Sequence, residues 1–430
     1  MKKLNQIFED IENNKSSNFY FYTLIFIFLS AAFFLALNFS PYPEYDELAY
    51  IDHVKKISQS DRYWYLGDRN RMPIFNYILF ISYSPNFTEV IQYRVFQLTN
   101  IIFVTFFSIF YLSYLKNRFV SNVIFLQFSS FSLFLPIICY IHDVVVEPIF
   151  YVIFAVFFVF TLDFLKVFNL LNSVKFGFLA AFLYLIKATG LSIFVISIFF
   201  IIIKKILEKE KIINIFKNIV LSIVSFLIIC SPYMYENYQK FDKNFFYNVN
   251  TTFYIWYDSW EEVETGTKAY GDRIGYPAMP EEDIPSLKKY LSTHSNQQIY
   301  ERFRNGLNSI LNYYFSVQEF TGSLSLSLIL VIFSRKYFQE KLFVNNNYLK
   351  NIKSYLILLS VFVLFSSAFY QVIAPIPRFT IYLFLPAYLY YFLQQDKLVK
   401  SMTSNKKFQL FYFNNIVLLS SLMLSLYSQV

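Results

Sequence analysis

Glycine, cysteine and charged residues are scarce in this sequence of 430 residues, and each shortage argues against a class of protein. The chain has only 8 glycines, which leaves no glycine-rich loop to cradle nucleotide phosphates. Its two cysteines, Cys139 and Cys230, match no metal-ligand spacing. Charged residues make up 15% of the chain, below the roughly 25% that is usual in soluble domains. A soluble enzyme with a nucleotide cofactor is therefore not expected.

Apolar and aromatic residues are abundant instead, with 55 Phe and 37 Tyr. They form apolar runs, and the longer ones reach the roughly 20 residues that a helix needs to cross the hydrocarbon core. The sequence predicts an all-α polytopic membrane protein with about eleven transmembrane helices. The predicted spans are 18–40, 91–115, 119–139, 148–165, 176–189, 190–203, 214–232, 321–334, 354–372, 378–394 and 408–428.

The basic residues, 37 Lys and Arg against 29 Asp and Glu, could indicate a nucleic-acid partner, but their distribution indicates a topology. With the N-terminus in the cytoplasm, 21 of the 37 fall in short cytoplasmic connections, as the positive-inside rule requires. The segment 233–320 has 8 basic and 12 acidic residues. We expect 41–90 and 233–320 to face outward and to cap the helix ends, and we expect no nucleic-acid partner.

Four regions follow from this pattern. We expect a cytoplasmic interfacial helix at residues 1–17. We expect an N-terminal transmembrane module, which includes the first outer loop, at residues 18–232. Residues 233–320 form the large outer loop, and 321–430 the C-terminal transmembrane helices. A bacterial inner or plasma membrane is the expected location.

The first chemical candidates are Asp46 and Glu47, which directly follow the first predicted span. Two adjacent carboxylates at a membrane boundary can hold a divalent cation such as Mg²⁺ or Mn²⁺, or one can act as a general base while the other orients it. The alternative is a solvated acidic loop start.

These carboxylates are the first of an ordered set of motifs that covers most of the chain. The later motifs are a Pro followed by apolar residues at Pro73, Arg94 opening the second span, Glu147-Pro148, the turn Leu185 to Gly190, the helix exit Ser231 to Tyr238, and Pro375 to Pro386. The ordered set resembles the GT-C glycosyltransferases, in particular relatives of protein O-mannosyltransferases and lipid A aminoarabinose transferases.

The resemblance implies an inverting transfer of one sugar from a polyprenyl-phosphate donor to a lipid, glycan or protein acceptor. Asp46 is then the candidate base, and Glu47 orients it or binds metal. Three cations could hold the lipid phosphate, although each could instead contact lipid headgroups: Arg71, Lys187 and Arg378.

Two further groups remain open between function and structure. Asp143 and Glu147 are candidate second-site acids, and Glu147 could equally be an ordinary helix-start carboxylate before Pro148. Trp256, Tyr257 and Trp260 could form an acceptor or sugar platform, or rest on lipid headgroups. The competing functions are a transporter or flippase, a glycan polymerase or ligase that uses lipid-diphosphate substrates, and a structural subunit.

Overall fold

The computed structural model describes residues 10–12, 17–39, 42–43, 46–60, 71–240, 253–271, 279–316, 320–338, 347–370, 373, 377–399 and 402–427. Every regular element in these ranges is helical and none is a strand, which confirms the all-α prediction. Most of the predicted interfacial helix at 1–17 lies outside the described residues.

The first half of the chain forms a series of α-helices within the described ranges. Their bounds are α1 Ser17–Asn38, α2 Asp46–Gln59, α3 Pro73–Phe80, α4 Glu89–Lys116, α5 Asn122–Phe134, α6 Glu147–Lys166, α7 Leu170–Ile186, α8 Thr189–Leu207 and α9 Ile212–Lys240.

The second half begins with short helices and returns to longer ones. Their bounds are α10 Trp260–Val263, α11 Leu287–Thr293, α12 Asn296–Phe315, α13 Phe320–Phe338, α14 Asn347–Tyr370, α15 Phe384–Val399 and α16 Ser404–Tyr427. Short 3₁₀ turns at Pro377–Phe379 and Ile381–Leu383 precede α15.

Six of these helices are long and apolar enough to cross a membrane: α1, α4, α6, α8, α9 and α14. Apolar segments in α5, α7 and α13 are shorter, so a multi-pass protein is supported while the count of eleven stays a prediction. The predicted span 119–139 ends as a helix at Phe134, because Pro136 lacks an N–H and restricts the residue before it. The predicted span 378–394 is a regular helix only from Phe384.

Helix α6 lies at the centre of the bundle. In its membrane-spanning window 89% of the residues are buried, against 28% in α1, and it packs against α4, α7, α8 and α15. A helix that is apolar on all sides is stable where other helices or lipid surround it, and α6 is surrounded mainly by helices. The central position of α6 fixes where its first residue, Glu147, lies relative to the neighbouring helix ends.

Two glycines permit close helix contacts. A Cβ at Gly177 of α7 would lie 2.1 Å from the carbonyl oxygen of Ser222 in α9, and one at Gly306 of α12 would lie 1.7 Å from that of Ala368 in α14. Any larger side chain at these positions would force the helix pairs apart.

Residues 253–263 and α12, which lie between α9 and α13 in the chain, pack against α14 and the residue Ile373 that follows it. Phe253, Tyr254 and Val263 form a small apolar core with Ile373. The sequence predicts helical structure near 284–306, and the structure has α11 and α12 there, separated at His294 and Ser295.

Candidate functional site

Five charged side chains from five separate segments meet at one end of the helix bundle. Two are carboxylates at the starts of α2 and α6. Three are cations, placed before α3, between α7 and α8, and in the 3₁₀ turns before α15. We call this group the charged cluster: Asp46, Arg71, Glu147, Lys187 and Arg378.

Arg378 joins the two carboxylates of the charged cluster. Its Nη2 donates to Oδ2 of Asp46, and its Nε lies 3.5 Å from Oε1 of Glu147. The other oxygen of Asp46, Oδ1, accepts a hydrogen bond of 2.7 Å from Arg71. Lys187 donates to Oε1 of Glu147 at 2.8 Å. Both oxygens of Asp46 are therefore bound by guanidinium groups.

Local structure explains why these residues point into one site. Asp46 and Glu147 begin helices, where the positive end of the helix dipole stabilises a carboxylate. Lys187 is the extended residue that ends α7 before α8 starts at Thr189, so the predicted turn is observed. A Cβ at position 190 would lie 2.6 Å from the backbone of Leu183. The tight turn therefore requires glycine at this position.

The charged cluster is largely withdrawn from solvent and carries an excess of positive charge. The side chain of Glu147 is 4% exposed, those of Arg71, Lys187 and Arg378 are 12–16% exposed, and that of Asp46 is 36% exposed. Three cations face two carboxylates, which gives a formal charge of 3 − 2 = +1. Because a buried charge is costly without a partner, such a site favours an added anion.

The arginines also set the protonation state of Asp46. Burial alone would raise the pKa of this carboxyl, but the guanidiniums of Arg71 and Arg378 outweigh burial and lower the pKa to about 2. Asp46 is thus ionised at neutral pH and is a weak base while both arginines hold it.

Glu47 has partners different from those of its neighbour. Its buried carboxylate accepts hydrogen bonds from the Tyr93 hydroxyl at 2.6 Å and from the Val144 N–H at 2.7 Å. These bonds tie α2 to α4 and to the segment before α6. In the described part of the chain, no three His, Cys, Asp or Glu side chains are grouped as a metal site would need.

Asp143 lies beside His142, with 3.2 Å between its carboxylate and Nε2 of the imidazole. His142 stacks on Phe39 with 3.9 Å between ring centroids, and burial lowers its pKa to about 4. The backbone carbonyls of His142 and Asp143 accept hydrogen bonds from Gln97 and Asn100 of α4. Of the two predicted second-site acids, it is Glu147 whose ion pairs lie in the charged cluster.

The predicted aromatic platform lies in the segment that packs on the end of α14. The Trp260 indole is 41% exposed and donates to Glu264 at 3.0 Å, and the Tyr257 hydroxyl accepts from the Thr267 N–H at 3.0 Å. Trp256 lies beside Tyr290, with 5.9 Å between ring centroids. Polar partners therefore hold the rings of Tyr257 and Trp260 in place.

A second polar group holds this segment to α12 and α14. Asp258 binds Nη1 of Arg302 at 2.8 Å and Nε2 of His294 at 2.7 Å, and it accepts from Tyr290 at 3.1 Å. Arg302 also donates to the carbonyl of Phe369 near the end of α14. The sequence indicated no pairing among these residues.

Aromatic residues that the sequence did not single out surround the charged cluster. The Arg71 guanidinium lies 4.8 Å from the Tyr50 ring centroid, and the Lys187 ammonium lies 4.9 Å from that of Phe379. The Tyr151 hydroxyl donates to the Arg378 carbonyl at 2.7 Å. Tyr50 and Tyr151 each follow a cluster carboxylate by four residues, which places each tyrosine on the same helix face as that carboxylate.

Comparison of this chain with protein-family models, with curated proteins and with solved structures gives no match.

Proposed function

We propose that this protein is an inverting membrane glycosyltransferase that takes its sugar from a polyprenyl-phosphate donor. The observation that carries the proposal is the charged cluster. Four of its members, Asp46, Glu147, Lys187 and Arg378, come from separate motifs of the GT-C resemblance and yet share direct contacts. Arg71, just before Pro73, completes the group.

The cations of the charged cluster suit a lipid phosphate. The cluster has one positive charge in excess, and the Nε–H of Arg378 is buried without a hydrogen bond to the residues that the structure describes. Guanidinium and ammonium groups stabilise the charge that develops on a departing phosphate. Lys187 and Arg378 are the proposed phosphate ligands.

Asp46 is the proposed base, and its pairing with two arginines sets a condition on catalysis. The donor phosphate would compete for the guanidiniums, and an arginine that turns toward it would leave an oxygen of Asp46 open to the acceptor hydroxyl. Loss of a cation also raises the pKa of Asp46, which makes it a better base. Donor binding would in this way prepare the base.

The transfer is then a single displacement. The acceptor hydroxyl gives its proton to Asp46 while its oxygen bonds to the anomeric carbon from the side opposite the phosphate. The bond between that carbon and the phosphate oxygen breaks, and its electron pair leaves with polyprenyl phosphate. One displacement inverts the anomeric configuration. A divalent cation at Asp46 and Glu47 stays an alternative, which chelation tests.

The proposed site faces outward. Lysines occupy the last turns of α4, α6 and α8, at the ends opposite to those of α6 and α7 that contribute to the charged cluster. The positive-inside rule assigns the lysine-bearing ends to the cytoplasm. Lipid-linked donors suit such a site, because nucleotide sugars are absent outside the cell. The segment with Trp256 and Trp260 is the proposed platform for the acceptor or sugar.

A transfer assay separates this proposal from its competitors. Purified protein in liposomes receives radiolabelled polyprenyl-phosphate sugars and a membrane extract as the source of acceptor. The glycosyltransferase predicts labelled acceptor together with free polyprenyl phosphate. A flippase would move the lipid across the membrane without cleaving it, and a polymerase or ligase would transfer only from a lipid-diphosphate donor. A structural subunit would neither move nor cleave the lipid. Any of these results would contradict the proposal.

A further inference from the structure

An apolar groove lies between α4, α6, α7 and α9, away from the charged cluster. Its cavity volume is about 830 Å³. Its lining includes Phe110, Val156, Phe178, Val224 and Ile228, and it is open toward the side of the bundle, where Phe178 is 48% and Ile228 63% exposed. Cavities of this size commonly hold a lipid-sized or drug-sized ligand.

The groove covers only one half of the bundle. On α6 its lining begins at Val156 and continues to Val167, the residue directly after the helix, and on α7 it extends from Asn172 to Leu179. The residues that enter the charged cluster are Glu147, at the other end of α6, and Lys187, after the other end of α7. From Val156 to its last residue, Lys166, the helix rises about 15 Å, half of the roughly 30 Å hydrocarbon core. The groove thus has the depth of one lipid leaflet.

The two charged residues of the groove lining, Asp163 and Lys175, lie toward its membrane-surface end, near the end of α6 and the start of α7. Asp163, near the end of α6, accepts hydrogen bonds from Arg118 and Tyr114, so its charge is compensated. Lys175 of α7 is exposed, and within the described ranges no carboxylate lies within ion-pair distance of it. This end of the groove therefore offers an available cation.

We propose that this groove binds an anionic glycerophospholipid from the leaflet opposite the charged cluster. One acyl chain fills the apolar lining, and the headgroup phosphate binds Lys175. The depth of the groove fits a chain that ends near the bilayer centre. A donor lipid held at the charged cluster would have its phosphate at the other membrane surface. The site is therefore independent of the proposed transferase activity.

Photocrosslinking tests the proposal in the full-length protein. The protein is placed in nanodiscs of phosphatidylcholine that contain a trace of phosphatidylglycerol with a diazirine in one acyl chain, and labelled peptides are identified by mass spectrometry. We expect labels on α4, α6, α7 and α9 within the groove. A diazirine phosphatidylcholine probe should label these peptides several-fold less.

Two variants separate chain binding from headgroup binding. Val224→Trp, which fills the groove, should reduce labelling about tenfold, whereas Val195→Trp at an exposed position of α8 outside the groove should not. Lys175→Gln should reduce the preference for the anionic probe about fivefold, since one lysine near an anionic headgroup contributes about 1 kcal/mol. Lys353→Gln on α14, away from the groove, is its control.

Three results would overturn the proposal. The first is equal labelling of the groove by both probes, and the second is wild-type labelling in both Val224→Trp and Lys175→Gln. The third is loss of the label on addition of polyprenyl phosphate but not of unlabelled phosphatidylglycerol, which would assign the groove to the donor chain. Lys175→Gln changes an exposed residue, so the test does not depend on the folding of Val224→Trp.

Discussion

Arg378 follows Asp46 by 332 residues in the chain, and its guanidinium binds the Asp46 carboxylate directly. The same guanidinium approaches Glu147, so the segment before α15 completes a site that begins in α2 and α6. The proposed base and the proposed phosphate ligand are thus each other's partners before any donor is bound. Their separation is a requirement of the mechanism.

The first prediction concerns the phosphate ligands. Replacing Lys187 or Arg378 with Gln should weaken donor binding by roughly 10- to 150-fold, because a charge-assisted hydrogen bond worth about 1.5–3 kcal/mol is lost. Equilibrium binding of a labelled donor measures the effect, and Lys217→Gln on an exposed position of α9 is the control. Unchanged affinity in both variants would indicate that these cations only contact headgroups or their carboxylate partners.

A double variant tests whether a loss of donor affinity in Lys187→Gln comes from distortion of the site rather than from a lost phosphate contact. Lys187→Gln alone leaves the buried Glu147 short of a cation and could distort the site. The double variant Glu147→Gln with Lys187→Gln removes both charges, so the local packing should survive. Donor affinity that stays low in the double variant supports phosphate binding by Lys187, and full recovery of affinity contradicts it.

Arg378→Lys probes the geometry of phosphate binding. Lysine keeps the charge but lacks the planar fork of donors. A large loss of donor affinity indicates bidentate binding to phosphate, as we expect. A negligible loss of donor affinity would indicate that Arg378 contributes only its positive charge.

The second prediction concerns pH. The pH dependence of kcat/KM reports the pKa values of the free enzyme, in which the pKa of Asp46 is about 2. Asp46 therefore stays ionised between pH 8 and about pH 5, and its protonation should not lower kcat/KM in that range. Arg71→Gln removes one cation that lowers this pKa, so the acid limb should move to higher pH. The pH at which kcat/KM begins to fall can be measured even if Arg71→Gln also lowers the maximal value of kcat/KM. An acid limb unchanged in Arg71→Gln would contradict the assignment of Asp46 as the base.

The third prediction separates Glu47 from Asp46. Glu47→Ala should destabilise the protein by about 1–3 kcal/mol for each buried donor left unsatisfied, at Tyr93 and at Val144. Chemical unfolding in detergent measures this. Glu47→Gln, which keeps an acceptor oxygen, should be milder and retain most of the transfer rate. A rate loss as severe as that of Asp46→Asn, together with inhibition by a chelator, would instead indicate a shared cation.

The fourth prediction concerns the turn that carries Lys187. Gly190→Ala places a Cβ 2.6 Å from the backbone of Leu183, so the turn must open. Donor affinity and thermal stability should both fall. Gly271→Ala, in the segment after α10, should lower thermal stability through its positive φ of 72° but leave donor affinity unchanged. Equal donor affinity in the wild type, Gly190→Ala and Gly271→Ala would show that the shape of this turn does not affect phosphate binding.

The sequence predicted the helical class, and it singled out all five residues of the charged cluster as site candidates, because apolar runs and ordered motifs are local signals. It did not predict which residues pair. Asp46 and Glu47 are adjacent and read as one site, yet successive residues on a helix point about 100° apart, so only Asp46 reaches the arginines. Asp143 and Glu147 read as a second acidic pair, whereas the start of α6 brings Glu147 to Lys187. Such pairings depend on tertiary packing between distant segments.

The aromatic surroundings of the charged cluster were missed for a different reason. With 37 tyrosines in the chain, no single tyrosine is distinctive. Tyr50 and Tyr151 gain significance only when their partners, Arg71 and the Arg378 carbonyl, are known. The polar group around Asp258 likewise depends on α12 and α14 folding back on one segment.

The most direct test of the central claim is single-turnover transfer by Asp46→Asn with saturating labelled polyprenyl-phosphate sugar. A base contributes mainly in the transition state, so the account predicts a rate about 10²–10⁴-fold lower than wild type, with donor binding and folding retained. Asp52→Asn, on the same helix but paired with Lys56 at the surface, should transfer at the wild-type rate. Wild-type transfer by Asp46→Asn, under conditions where chemistry limits the rate, would contradict the account.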